Sequence, residues 1–149
     1  MLHDNSLFRK TTICVFNPFY LYTSNEQLEI LRIVLDEHAT RLDCVFHSSN
    51  KPLGMRDVSI LQKTFLRIYT KDTEPLKLEL LNAVNIPIFP AYYRFKSTDE
   101  RFHFSLYFPP MPEQPVMIDL IEKDSAGPCT NIMGLLLVSK QDVPKMSLN

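Results

Sequence analysis

The stretch Arg101–Glu122, RFHFSLYFPPMPEQPVMIDLIE, constrains the fold of this chain more than any other. In its first half every second side chain is apolar, namely Phe102, Phe104, Leu106 and Phe108. This period of two is typical of a strand with one buried face. A proline-rich corner follows, and then a second apolar run. The stretch therefore predicts two strands of a sheet whose aromatic face is covered by another element.

A helix is the predicted cover. Ser24 and Gln27 have the spacing of a capping box. Apolar residues follow at helical spacing, namely Leu28, Leu31, Val34, Leu35 and Leu42. The sequence therefore predicts one main helix over residues 24–42.

These patterns together predict an α+β fold, a mostly antiparallel sheet of five to seven strands packed on the 24–42 helix. A short helix is expected over residues 58–62. In the segment 75–84, Leu76, Leu78 and Leu80 alternate like a strand, but Thr73 as a cap with proline in the first turn favours a helix. The last four strands are expected to form a C-terminal β-meander over residues 92–96, 102–108, 116–122 and 132–139.

The length of 149 residues fits one domain. We expect a flexible lead-in over residues 1–10, a single globular domain over 11–139 and a polar tail over 140–149. The net charge of −1 provides no overall basic field for a nucleic-acid backbone. With only 3 glycines, the chain has no glycine-rich loop of the common phosphate-binding kinds.

The cysteines indicate a reducing compartment. Cys14, Cys44 and Cys129 are odd in number and widely spaced, which does not suit a disulfide framework. The N-terminus has no run of signal-peptide type, and no apolar run is long enough to span a bilayer. We expect an intracellular protein, cytoplasmic or nuclear, without membrane attachment. The histidines and cysteines show no metal-ligand spacing, so neither a metal nor a cofactor is expected.

Two triplets suggest an enzymatic alternative. His47-Ser48-Ser49 and His103-Phe104-Ser105 resemble the paired H-x-[ST] motifs of 2H phosphoesterases. The resemblance implies that His47 and His103 exchange protons while Ser49 and Ser105 hold the phosphate. On a strand, positions i and i+2 face the same way, so His103 and Ser105 should point together.

A second alternative is binding of single-stranded nucleic acid. Aromatic residues alternate with cations on the two predicted strands at 92–96 and 102–108. Such a sheet face can stack bases and bind phosphates.

The leading interpretation is a non-enzymatic protein–protein interaction module: a small complex subunit, an adaptor or an intracellular effector. The partner would be another protein, with self-association into an oligomer as one form of this. Rigid prolines reduce the entropy cost of ordering a binding loop, and methionine adapts to irregular surfaces. The predicted partner-binding residues are Tyr92, Arg94, Tyr107 and Met111, the last in an exposed corner.

Overall fold

The computed structural model describes residues 11–112, 115–122 and 130–137, and these residues form strands and no helix. The predicted lead-in and polar tail lie outside the described residues. The strands in chain order are β1 (Ile13–Phe16), β2 (Tyr22–Thr23), β3 (Leu28–Leu35), β4 (Thr40–His47), β5 (Asp57–Val58), β6 (Phe65–Thr70), β7 (Leu76–Glu79), β8 (Asn82–Val84), β9 (Tyr93–Arg94), β10 (Arg101–Phe108), β11 (Pro115–Ile121) and β12 (Asn131–Leu136).

The strands form two five-stranded sheets and one small ribbon. Sheet A has the order β1-β3-β4-β10-β8, and sheet B has the order β2-β12-β11-β6-β7. β5 and β9 pair as a separate two-stranded ribbon. Every pairing between named strands is antiparallel.

One hydrophobic core joins the two sheets. Sheet A contributes fully buried side chains to it, including Ile33, Leu42, Phe46 and Leu106. Sheet B contributes others, including Leu66, Ile68, Ile118 and Ile132. The two sheets therefore lie face to face as a sandwich, stabilised mainly by removal of these side chains from water.

The predicted α+β class is wrong, because residues 28–47 form the β3–β4 hairpin in place of a helix. The register of this hairpin shifts between Ile30 and Arg32, where β3 has a bulge. The buried side chains of β3 are consequently Leu28, Ile30, Ile33 and Leu35. A bulge inserts one residue into the alternation, so the apolar spacing resembles that of a helix.

The residues of the predicted helix cap have other hydrogen bonds. The Ser24 hydroxyl accepts a hydrogen bond from the backbone N–H of Asn131 at 2.7 Å. The backbone N–H of Gln27 donates to Asn25 Oδ1 at 2.9 Å, which forms an Asx turn at the start of β3. Side chains that favour helix caps also favour turns. The spacing of Ser24 and Gln27 therefore does not distinguish the start of a helix from a turn.

The two shorter helices are also wrong. Residues 57–58 form β5, and Ile60 makes an isolated bridge to Ile88. Residues 76–79 and 82–84 form the edge strands β7 and β8.

The C-terminal meander is wrong as well, although its strands exist. β9 pairs with β5, and β10 pairs with β4 and β8 in sheet A. β11 and β12 are neighbours, but they belong to sheet B. The proline-rich corner therefore carries the chain from one sheet to the other.

A buried carboxylate supports the bulge between β11 and β12. Asp119 is only 2% exposed. Its Oδ1 accepts the backbone N–H of Gly134 at 2.8 Å, and its Oδ2 accepts the Tyr69 hydroxyl at 2.7 Å. Gly134 has φ +72°, a conformation that costs other residues energy, and the register shifts beside it. Asp119 thus accepts a hydrogen bond from the Gly134 N–H, which the β11–β12 pairing leaves without a backbone acceptor.

We expect Asp119→Ala to lower the free energy of unfolding by roughly 2–4 kcal/mol, because it leaves the buried N–H of Gly134 without an acceptor and removes the acceptor of the half-buried Tyr69 hydroxyl. Urea denaturation followed by circular dichroism measures this. Tyr69→Phe is the control and should cost only about 1 kcal/mol, since it removes one hydrogen bond. Equal losses in the two variants would contradict the role given to Asp119.

Candidate functional site

The outer face of sheet A carries both histidines of the enzymatic alternative. His47 on β4 is opposite Arg101 on β10, and His103 is opposite Val45. Directly paired residues of antiparallel strands share a face. Since Cys44 and Phe46 point into the core, His47 and His103 both project from the other side of the sheet.

The four residues of the two triplets do not converge. His103 and Ser105 line a depression together with Arg32 and Asn85. His47 and Ser49 line a different depression with Lys51. Ser49 lies beyond the end of β4, so it is not on a strand with His47 as the resemblance implies.

Each triplet is also engaged locally. His47 Nε2 lies 2.8 Å from Glu29 Oε1. Ser105 donates to Asp43 Oδ1 at 2.7 Å, and Ser49 Oγ accepts the backbone N–H of Lys51 at 3.1 Å. Among the described residues, His47 and His103 are diagonal neighbours on paired strands, but they line separate depressions and have separate local partners.

Asp43 is the electrostatic centre of this outer face. Arg32 donates to its Oδ2 through Nε at 2.7 Å and lies 2.6 Å away through Nη2. Arg41 donates to Oδ2 through Nη2 at 3.3 Å, while its Nε lies 3.1 Å from Oδ1 but out of line for a hydrogen bond. Burial alone would raise the pKa of Asp43, but the hydrogen bonds from Ser105 and Arg32 and the two guanidinium charges lower it below its usual value.

The lowered pKa makes this network sensitive to acid. A carboxylate with a lower pKa in the folded state stabilises the protein above the unfolded pKa of about 4, and this stabilisation is lost as pH falls through the folded pKa. We expect Asp43→Asn to lower the free energy of unfolding by roughly 1–3 kcal/mol at pH 7. The difference from the wild type should shrink below about pH 4.

Denaturation of both proteins between pH 3 and pH 7 measures the effect. Asp72→Asn, at an exposed turn position, is the matched control and should leave stability nearly unchanged. A deficit in Asp43→Asn that stays constant across this range would contradict the assignment.

Tyr92 and Arg94, two of the predicted partner-binding residues, form a small exposed group beside the β5–β9 ribbon. The Arg94 guanidinium lies 5.8 Å from the centre of the Tyr92 ring. Arg94 also donates to both carboxylate oxygens of Asp57, at 2.7 and 3.1 Å. Its charge is therefore already paired.

The other two predicted residues lie elsewhere. Tyr107 is half-buried on β10 and is a hydrogen-bond partner of Arg41. Met111 is 1% exposed and belongs to the core, so the expectation of an exposed methionine is wrong. The corner after β10 buries this side chain because it crosses between the sheets, and apolar methionine readily fills such gaps.

Most of the aromatic residues considered for base stacking pack against other side chains of the protein. Phe104 is buried and its ring lies 5.2 Å from that of Phe46. Tyr93 packs against Phe102 and Phe95 next to the core. β9 and β10 are not neighbours, so the predicted mixed face does not form.

Among the described residues, the largest run of exposed apolar side chains was not predicted from the sequence. It extends from β1 to β2, where the chain passes from the edge of sheet A to the edge of sheet B. We call it the edge surface, and its residues are Ile13, Phe16, Phe19, Tyr20, Leu21 and Tyr22. Leu21 is 70% exposed, and Phe16 and Tyr22 are each 57% exposed.

The backbone of this segment is held firmly although its side chains are exposed. The N–H of Asn17 donates to the carbonyl of Leu31 at 2.9 Å, and the N–H of Leu21 donates to that of Met133 at 3.1 Å. The carbonyl of Phe19 accepts from Leu136 at 2.9 Å. The edge surface is thus tied to both sheets. A signal for it exists in the sequence FNPFYLY, whose seven residues include no charge.

Comparison of the chain with protein-family models, curated proteins and solved structures finds no match. In the part of the chain that the structure describes, no three His, Cys, Asp or Glu side chains are grouped to hold a metal ion. The same residues include no helix of the length and apolarity that crossing a membrane requires.

Proposed function

We propose that the protein is a non-enzymatic protein–protein interaction module, acting as a small complex subunit, an adaptor or an intracellular effector, and that its edge surface contacts the partner. The observation that carries the proposal is the exposure of Phe16, Leu21 and Tyr22 in one uncharged segment. Contiguous exposed apolar patches mark interaction sites, and aromatic side chains dominate binding energy at such sites.

The strand beside this segment adds a second reason. β1 pairs with β3 on one side and has no described strand on the other. Proteins usually protect such edges with charges, proline or bulges. β7 carries Lys77 and Glu79, whereas β1 and the residues just before it read TTICVF, with neither charge nor proline. An extended segment of a partner could therefore pair with β1.

The rigidity of the segment favours binding as well. Pro18 and the backbone hydrogen bonds to both sheets fix the backbone of the segment before any partner binds. Preorganisation reduces the entropy lost on association. The partner is another protein, and a second copy of this chain is one form of it.

We also propose an intracellular location, in keeping with the cysteines. Cys14 and Cys44 are both free thiols, the first exposed and the second buried. Exposed free thiols are typical of reducing compartments. Cys129 lies outside the described residues.

We expect Tyr22→Ser to weaken partner binding roughly 30-fold, the effect of removing an interface hot spot. Tyr92→Ser is the matched control, because Tyr92 is also a tyrosine that is 57% exposed. Sedimentation velocity of the purified protein tests self-association, and capture from native-cell extract followed by titration of the stoichiometric partner tests a heterologous complex.

Two outcomes would contradict the proposal. A protein that stays monomeric and captures no stoichiometric partner is not an interaction module. Binding that Tyr92→Ser abolishes and Tyr22→Ser leaves intact would move the contact to the Tyr92–Arg94 group.

A further inference from the structure

A small pocket lies at the end of sheet A where β4 stops and β10 starts. His47 and Arg101 are paired there, so the loops that follow β4 and precede β10 meet. We call it the serine-loop pocket, lined by Ser48, Ser49, Met55, Arg56, Phe95, Lys96, Ser97 and Thr98. Its volume of about 130 Å³ is below the roughly 300–1,000 Å³ of sites that enclose a whole small molecule. It has room for one small chemical group of a ligand.

The lining is cationic and rich in hydroxyl groups. Arg56 and Lys96 come from different loops, and neither forms an ion pair with a described carboxylate. None of the eight lining residues is acidic. An oxyanion accepts hydrogen bonds and is held most strongly by charged donors.

Two of the hydroxyls retain a hydrogen to donate. Ser48 Oγ accepts the backbone N–H of Glu100 at 2.9 Å, and Ser49 Oγ accepts that of Lys51 at 3.1 Å. Each serine is therefore positioned by its acceptor role, and its own proton is left for a ligand.

The acidic residues nearby are engaged with their own loop. Asp99 accepts the Ser97 hydroxyl at 2.8 Å. Glu100 accepts the Tyr93 hydroxyl and the backbone N–H of Lys96, and these bonds lower the pKa of its carboxyl. The Lys96 charge also helps to lower the pKa of Glu100.

The walls are fixed by contacts to the strands. Gln27 accepts the backbone N–H of Met55 at 2.7 Å, and the N–H of Phe95 donates to the carbonyl of Arg56 at 2.8 Å. A Cβ on Gly54 would lie 2.6 Å from Ser49 Cβ, so the turn presses directly on this serine. The backbone of the pocket walls is thus held in place without a ligand, which reduces the entropy lost on binding.

We propose that the serine-loop pocket binds the phosphoryl group of a phosphate monoester, through the side chains of Arg56 and Lys96 and the hydroxyls of Ser48 and Ser49. A phosphoryl group offers three acceptor oxygens to these four donors, whereas a carboxylate offers two. The pocket is distinct from the edge surface, so a result that contradicts the phosphate site leaves the proposed protein-binding function untouched, and the reverse also holds.

The test is a titration of the 15N-labelled full chain with inorganic phosphate, O-phosphoserine and acetate at constant ionic strength. We expect saturable shifts for the amides of residues 48–56 and 95–98 with the first two probes and none with acetate. Arg56→Gln and Lys96→Gln should each weaken the affinity about fivefold or more. Lys63→Gln, which removes an exposed cation elsewhere, should leave it unchanged.

Several outcomes would overturn the proposal. Shifts that grow linearly without saturation, or an equal response to acetate, would exclude a phosphate site. A loss of affinity in Lys63→Gln as large as that in Arg56→Gln would show a general charge effect. Phosphate binding without O-phosphoserine binding would exclude the monoester and leave the free ion.

Discussion

The pairing of β4 with β10 is the contact on which the rest of the structure depends. It runs through eight residue pairs, from Thr40–Phe108 to His47–Arg101. One face of this central ribbon sends Leu42, Phe46 and Leu106 into the core that both sheets share. The opposite face places Asp43 beside Ser105 and both arginines. The ribbon also brings the two loops of the serine-loop pocket to one end of the sheet.

The strands with regular alternation were predictable from sequence. The predicted strand at 102–108 lies within β10, and the predicted strand at 116–122 overlaps β11. The buried side chains of β10 alternate without interruption, so the pattern indicates the structure directly. β3 was not predicted as a strand, because its bulge at Leu31 displaces the later apolar residues by one position.

Sheet membership could not be predicted in the same way. Neighbours in sequence are usually neighbours in a sheet, and this favoured a meander. Here the corner at Met111 turns the chain away from sheet A into sheet B, and the buried methionine fixes that crossing. A local pattern shows which side of a strand is apolar, but it does not show which strand will lie next to it.

For the candidate sites, the sequence likewise predicts which residues share a face of one strand, but not which residues the fold brings together. His103 and Ser105 do share a face, as their spacing indicates, but the distance to Ser49 depends on where β4 ends. The exposure of Phe16 and Tyr22 depends on the route that residues 17–21 take between two sheet edges. Arg56 and Lys96 come together because β5 pairs with β9 and because β4 pairs with β10. These are tertiary facts, so residue type and spacing alone could not supply them.

The order in which the chain contributes strands to the two sheets determines when during synthesis it can fold. Sheet A draws on β1, β3, β4, β8 and β10, while sheet B draws on β2, β6, β7, β11 and β12. Neither layer is encoded by a continuous piece of the gene. A nascent chain emerging from the ribosome therefore exposes the inner edge of β4 until β10 has been synthesised, and the second layer is incomplete until β12 follows. Both native sheets can therefore be complete only after β12 has been synthesised, and no cut that halves the chain would release a piece that contains a complete sheet.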